Sequence, residues 1–302
     1  MAAPLKKDQN AGWYRFSIGA FEGTVIWDGW IHHSYEGIYP NADAQEMDRL
    51  KAQYLLPADY IPMDLNPVLM NTGDKVYVID AGMGRSIDWF GDMMGRMVEN
   101  LRASGYAPED VDAVLMTHLH PDHACGLINP DGTAVFPNAD LYVCETDWEE
   151  WTNEDNLKET NTHLGPWTQV ALDAVAPYRD RLKLFKMGDE IAPGITTFSV
   201  AGHALGQTAF LFESDGEKMV FTGDLAHHEV YDPHHPEWYF HMDYDSDPDM
   251  GAKAKADIFD KVVAEDITFH GYHFAFPGVG TIVDAKDGTY RFVPQPVTPR
   301  DP

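Results

Sequence analysis

Within six consecutive positions this chain carries four side chains that can bind a metal ion: His118, His120, Asp122 and His123, in His118-Leu119-His120-Pro121-Asp122-His123. Imidazole nitrogens joined by a carboxylate suit Zn²⁺ and its first-row neighbours better than Ca²⁺ or Mg²⁺. The apolar run from Val111 to Thr117 predicts a buried strand that ends at the histidines. Side chains alternate along a strand, so His118 and His120 point the same way if the extended geometry persists. Asp122 and His123 then lie on the turn begun by Pro121 and can face a second ion. Taken alone, the stretch also fits a histidine-rich surface turn.

Other segments supply what this cluster lacks. Gly202-His203-Ala204-Leu205-Gly206 follows the strand-like Ile195 to Val200, and Thr222-Gly223-Asp224 follows Lys218 to Phe221. His273 follows Asp266 to His270, inside Gly271-Tyr272-His273-Phe274-Ala275-Phe276-Pro277-Gly278. Each candidate ligand comes after a predicted strand, as expected where loops at one edge of a sheet build a site.

These motifs resemble the metallo-β-lactamase-fold hydrolase superfamily, whose H-x-H-x-D-H pattern is matched by His118, His120, Asp122 and His123. Its later ligands correspond to His203, Asp224 and His273. Within the superfamily the chain is most similar to the methyl parathion hydrolase and lactonase branch, through Thr222 to His227, His235 to Trp238 and His273 to Gly280. The resemblance runs from about Phe16 to about Val283. It implies an α/β fold, a four-layer αββα sandwich with metals at one edge. It also implies two divalent metal ions, zinc foremost, with Mn, Co or Fe as alternatives. His118, His120 and His203 would hold one ion, Asp122, His123 and His273 the other, with Asp224 between them. Two sequence departures stand out: Cys125-Gly126 where relatives often have Gly-Gly, and Gln207 where they often have a second His.

Paired cations lower the pKa of a shared water and stabilise an anionic transition state, so the implied reaction class is hydrolysis. Redox di-iron relatives generally carry Glu where this chain has His120, which favours hydrolysis over oxygen chemistry. Asp122 is a candidate proton carrier as well as a ligand, and His227 is a candidate catalytic residue because relatives of the branch carry His there. Trp148, Phe274 and Phe276 are the expected pocket walls, since aromatic walls suit an uncharged hydrophobic ester or lactone. The expected activity is that of a lactonase or aryl-esterase with phosphotriesterase (organophosphate hydrolase) side activity. The alternatives are a phosphodiesterase or nuclease, a β-lactamase, and a non-catalytic binding member of the fold.

The elements that must position these groups are partly legible. Tyr14 to Ile18 with Phe21 to Trp27 predict one hairpin, and Val68 to Asn71 with Lys75 to Asp80 another. Helices are predicted over about Asp92 to Ala103, Thr168 to Tyr178 and Asp249 to Ala264. The 302 residues contain no obvious linker, so a single domain over 1–302 is expected, with an N-terminal extension over about 1–15. The segment 31–67, rich in aromatics and poor in periodicity, is expected as a lid or an oligomer contact, the latter in a homodimer.

Lys plus Arg number 21 against 49 Asp plus Glu, a net charge of -28. A surface this acidic repels phosphate backbones and anionic membranes, so neither nucleic acid nor membrane is an expected partner. The sequence has no long apolar run and no secretory h-region. A cytoplasmic location is expected, or a periplasmic or secreted one if a leader has been removed. The two cysteines, Cys125 and Cys144, imply no disulfide framework.

Overall fold

The computed structural model describes residues 11–87, 89, 91–241 and 246–296. In chain order, β1 (Trp13–Ile18) and β2 (Phe21–Ile26) form a hairpin, followed by β3 (Gly29–His33), helix α1 (Ala44–Gln53) and β4 (Ile61–Leu65). Strands β5 (Val68–Asn71), β6 (Val76–Ile79), β7 (Ala113–Leu115), β8 (Asp140–Cys144) and β9 (Leu182–Phe185) complete a seven-stranded sheet in the order β1-β2-β5-β6-β7-β8-β9. Helices α2 (Met97–Ala103), α3 (Pro121–Ala124), α4 (Glu145–Trp151) and α5 (Leu164–Val175) interrupt it.

A second seven-stranded sheet takes β10 (Glu190–Ala192), β11 (Ile195–Ser199), β12 (Thr208–Ser214), β13 (Glu217–Phe221), β14 (Thr268–His270), β15 (Val279–Asp284) and β16 (Tyr290–Pro294) in sequence order. Helices α6 (Tyr231–His234) and α7 (Pro248–Glu265) lie between β13 and β14. β3 and β4 pair only with each other, as a separate two-stranded ribbon.

Strand periodicity explains the layering. Tyr14, Phe16 and Ile18 alternate inward along β1 and join Leu115, Phe185, Phe210, Phe212 and Phe221 in the core between the two sheets. The central β7 is buried at every position, as a parallel strand covered on both faces must be. Outside the first sheet, Met97 and Leu101 of α2 and Ala171, Ala174 and Val175 of α5 pack with Val114, Leu141 and Val143. Outside the second, Ile258, Phe259 and Val262 of α7 pack on Val220 and Phe269. Their spacing puts them on one helical stripe. Asp247 caps α7 by accepting from the Met250 N–H, and Pro248 opens it. The result is a helix–sheet–sheet–helix sandwich.

Several boundaries differ from the sequence expectation. The strand before the histidines covers only Ala113–Leu115: the Met116 N–H still donates to the Tyr142 carbonyl of β8, but the Thr117 N–H turns to the Asp80 carboxylate. The helix expected from Asp92 starts at Met97, after Gly95 in a left-handed conformation (φ 81°). α5 begins at Leu164, ahead of the expected Thr168, and gives way to a 3₁₀ turn after Val175. The expected first hairpin is present, its first strand beginning one residue early at Trp13, which pairs with Ile26, and residues 1–10 lie outside the described region. In segment 31–67, Ile38, Tyr39, Met47 and Leu50 pack against Tyr231, Trp238 and Phe240.

Candidate metal centre

Four loops leaving β7, β11, β13 and β14 deliver His118 to His123, His203, Asp224 and His273 to one edge of the sandwich. Donor atoms of His118, His120 and His203 fall within 4.8 Å of one another, and so do those of Asp122, His123, Asp224 and His273. A third such group, His203, Asp224 and His227, shares members with both. All but Asp122 are buried; the Asp122 side chain keeps 20% exposure and faces the cavity beside the cluster.

Asp224 is the hub. Its Oδ2 lies 3.1 Å from His273 Nε2, 3.3 Å from His203 Nε2, 3.4 Å from His227 Nε2 and 4.0 Å from His118 Nε2. Its Oδ1 lies 2.9 Å from His123 Nε2. Gly223 makes this approach feasible: at φ 52° a Cβ would stand 2.5 Å from Thr117 Oγ1, so a side chain would push the two loops apart.

The imidazoles are aimed through their other nitrogens. His123 Nδ1 donates to Asp80 Oδ2 at 2.8 Å, and His273 Nδ1 donates to the Asp64 carbonyl at 2.9 Å. Thr117 Oγ1 donates to Asp80 Oδ2 at 2.8 Å and accepts from His118 Nδ1 at 3.1 Å. Tyr272 donates to the Asp122 carbonyl at 2.7 Å and stacks its ring on His123, centroids 4.0 Å apart. Trp151 and Trp167 each meet His120 at 4.7 Å. Such outer contacts fix ring orientation and tautomer.

The residues fit divalent cations. His118 Nε2, His120 Nε2, His123 Nε2, Asp224 Oδ1 and both His227 ring nitrogens are buried with no hydrogen-bond partner. Buried polar atoms rarely go unpaired, and so many unpartnered nitrogens and oxygens converging at one point call for a cation. Burial, reinforced by neighbouring imidazoles, holds His118 and His120 well below the usual histidine range, which keeps them neutral. Burial lowers His273 too, but Asp224 and Asp122 outweigh it and lift it to about 9. Burial pushes Asp122 and Asp224 up, yet His123 and His273 prevail and hold both carboxylates down.

The cluster opens on a cavity of about 240 Å³. Ile31 and Met63 from the ribbon, Met83, Trp89, Trp167 and Phe240 line it, together with His33 and His227. The three aromatic residues expected from sequence as its walls lie elsewhere. Phe274 is fully buried against Phe269 and Phe292 behind the second sheet, Phe276 packs on the core between the sheets, and Trp148 packs on the core under α5. Proximity in sequence to His273 placed Phe274 in the fold, not in the pocket. Phe240 does reach the site, stacked on His227 with centroids 3.8 Å apart.

Sequence reading missed Asp80, Asp64, Tyr272 and His33. Asp80 had a signal, since it directly follows β6, which pairs with β7, at the same edge as His118. The others depend on long-range register. At the two departures, Gln207 Nε2 donates to the Thr222 carbonyl at 3.0 Å, and Gly126 packs so tightly that a Cβ would sit 1.9 Å from the Ala81 oxygen. Cys125 is buried beside them and joins none of the metal-donor groups among the described residues; burial pushes its thiol up.

Comparison with known proteins agrees with this architecture. The profile of the Metallo-beta-lactamase superfamily matches residues 62–246. The endoribonuclease ysh-1 of Neurospora crassa is 31% identical over 133 residues, 39% of this chain and 15% of that protein. An N-acyl homoserine lactonase of Bacillus thuringiensis is 24% identical over 170 residues, 53% of this chain and 60% of the relative. The chain therefore spans less than two thirds of either relative's length. Among solved structures, hydrolase AbOPH of the beta lactamase superfamily superposes with a TM-score of 0.90 at 30% identity, covering 97% of this chain and 100% of that one. AidC, a dizinc quorum-quenching lactonase in complex with a product, shares the fold at a TM-score of 0.86 and 23% identity, covering 95% of this chain and 99% of its own.

Proposed function

The chain belongs to the metallo-β-lactamase superfamily, and on that basis we propose that it is a dinuclear metal-dependent hydrolase of small neutral lactones and aryl esters. One observation carries this reading: buried, partnerless imidazole and carboxylate donors converge beside a cavity whose wall is mainly apolar. His118, His120 and His203 would hold one cation and Asp122, His123 and His273 the other, with Asp224 shared. Such ions supply Lewis acidity and a nucleophilic water near neutral pH.

The protein's own groups account for the remainder. Asp122 borders the cavity and its Oδ2 is 3.3 Å from His273 Nε2, so it can carry a proton to the departing oxygen. His227 turns an otherwise unpartnered imidazole toward the same space, where it can donate to the oxygen that gains charge. Ile31, Met63, Trp167 and Phe240 bury the apolar part of the substrate and exclude water. A homodimer and a lidding role for 31–67 remain part of the proposal.

The match to an endoribonuclease favours a second reading, phosphodiester hydrolysis. The net charge of -28 opposes it, since an acidic surface repels anionic substrates within the screening length of about 8–10 Å. Steady-state kinetics at fixed metal loading should rank lactones and aryl esters first, neutral phosphotriesters second and bis-p-nitrophenyl phosphate last in kcat/KM. A phosphodiester in first position would replace this proposal with the nuclease-like one. Folded protein free of first-row metal after purification without chelator would remove its metal premise.

A further inference from the structure

His118, His123 and His273 are each aimed by a hydrogen bond at Nδ1, and His227 is not. Its imidazole borders the cavity with both ring nitrogens unpartnered, Nε2 lying 3.4 Å from Asp224 Oδ2. The direction of such a ring is set by what holds its backbone and by what packs on its face. The His227 N–H donates to Asp232 Oδ2 at 2.9 Å. The Phe240 ring lies flat on the imidazole, centroids 3.8 Å apart and planes within 8°.

Tyr39 reaches both of these holds. Its Oη donates to the same Asp232 Oδ2 at 2.8 Å, and its ring meets Phe240 edge-on, centroids 5.9 Å apart. The side chain is 4% exposed and comes from the stretch between β3 and α1. A phenol buried this deeply needs a partner for its hydroxyl. Here the partner is the carboxylate that holds the His227 backbone, whereas packing alone would be served by phenylalanine.

We propose that Tyr39 is a positioning residue that acts through His227, fixing its backbone by way of Asp232 and its ring by way of Phe240. Segment 31–67 then takes part in the chemistry without having to open or close. The kinetic consequence rests on the hydrolase reading above, in which His227 donates to the oxygen that gains charge.

The test is a double-mutant cycle on the zinc-loaded protein with p-nitrophenyl acetate. Tyr39→Phe deletes one oxygen and leaves Asp232 Oδ2 with the His227 and His228 N–H donors, so it should fold and hold zinc as the wild type does. Its kcat should fall about tenfold with KM unchanged, because the placement of a donor counts in the transition state. In a His227→Ala background the same substitution should cost nothing further, since residues that act through one another are not additive. An equal loss in both backgrounds, a loss that follows zinc content, or no loss at all overturns the proposal.

A second readout does not depend on turnover. In protein labelled at histidine Cε1, the His227 resonance is the one missing from His227→Ala, and the stacked Phe240 ring shields it. Tyr39→Phe should move that resonance toward the position of an unstacked histidine, while those of His118 and His120 stay where they are. A His227 resonance that does not move overturns the proposal even where kcat falls. If the wild type leaves the ester intact, or His227→Ala keeps full kcat, the catalytic reading of His227 fails separately. The histidine spectrum then decides for Tyr39 by itself.

Discussion

His123 Nε2 and Asp224 Oδ1 lie 2.9 Å apart without the alignment of a hydrogen bond. One side chain follows the first sheet and the other follows the second. An imidazole nitrogen and a carboxylate oxygen face each other across the seam of the sandwich, and a shared cation would join the halves that carry them.

The contact behind His123 gives a first prediction. Asp80 accepts from Thr117 N, Thr117 Oγ1 and His123 Nδ1, each at 2.8 Å, and is itself no donor to the centre. Asp80→Asn should fold and weaken cation affinity by about 10–100-fold, the usual cost of losing such an orienting carboxylate. Competition against a chromophoric chelator measures it. Affinity equal to wild type would mean that His123 needs no orienting partner.

Loading should also move protons. His273 is lifted to about 9, with Asp224 and Asp122 holding a proton on it against the pull of burial. A cation bound through His273 must displace that proton at any pH below about 9. Cation binding near neutrality should therefore release protons, and affinity should fall as the pH drops further. Calorimetry in two buffers of different ionisation enthalpy gives the count. Identical heats in both buffers would contradict the prediction.

A third prediction concerns acid stability. Asp232 is fully buried and accepts from the His227 and His228 N–H groups, from Tyr39 Oη and from Lys255 Nζ. Burial raises its pKa, but Lys255 and then His227 outweigh burial and set it below 3.8. A depressed carboxyl stabilises the fold above its ordinary value of 3.8, and that contribution is lost as the pH falls through the lower folded value. Asp232→Asn should cost about 3–5 kcal/mol at neutral pH by stranding Lys255, and should flatten the acid limb of the Tm curve. Parallel curves for variant and wild type would refute this account.

The sequence revealed the parts of the site that are local. His118, His120, Asp122 and His123 sit within six residues, so their spacing points to metal chemistry once the later ligand-type residues set aside a histidine-rich surface turn. His203, Asp224 and His273 were legible because each follows a strand-like run. The wall was not legible, since Ile31, Met63, Trp167 and Phe240 converge from distant segments whose register no local pattern encodes. Phe274 illustrates the error: one residue beyond His273, it points the opposite way into the second-sheet core. In the fold, hairpins and helices followed periodicity, while ends such as Met97 and Leu115 were set by tertiary hydrogen bonds and a glycine.

The β3–β4 ribbon joins two duties that tolerate change differently. Its inward side chains at Ile31, His33 and Met63 border the cavity, while its backbone, through the Asp64 carbonyl, holds His273. Point substitutions at the three wall positions leave that carbonyl where it is. An inserted or deleted residue between Gly29 and Leu65 that slips the pairing would carry the carbonyl away from the imidazole. Divergence among descendants of this chain should therefore run through replacements within the ribbon, with changes of length confined to its connecting segment around α1.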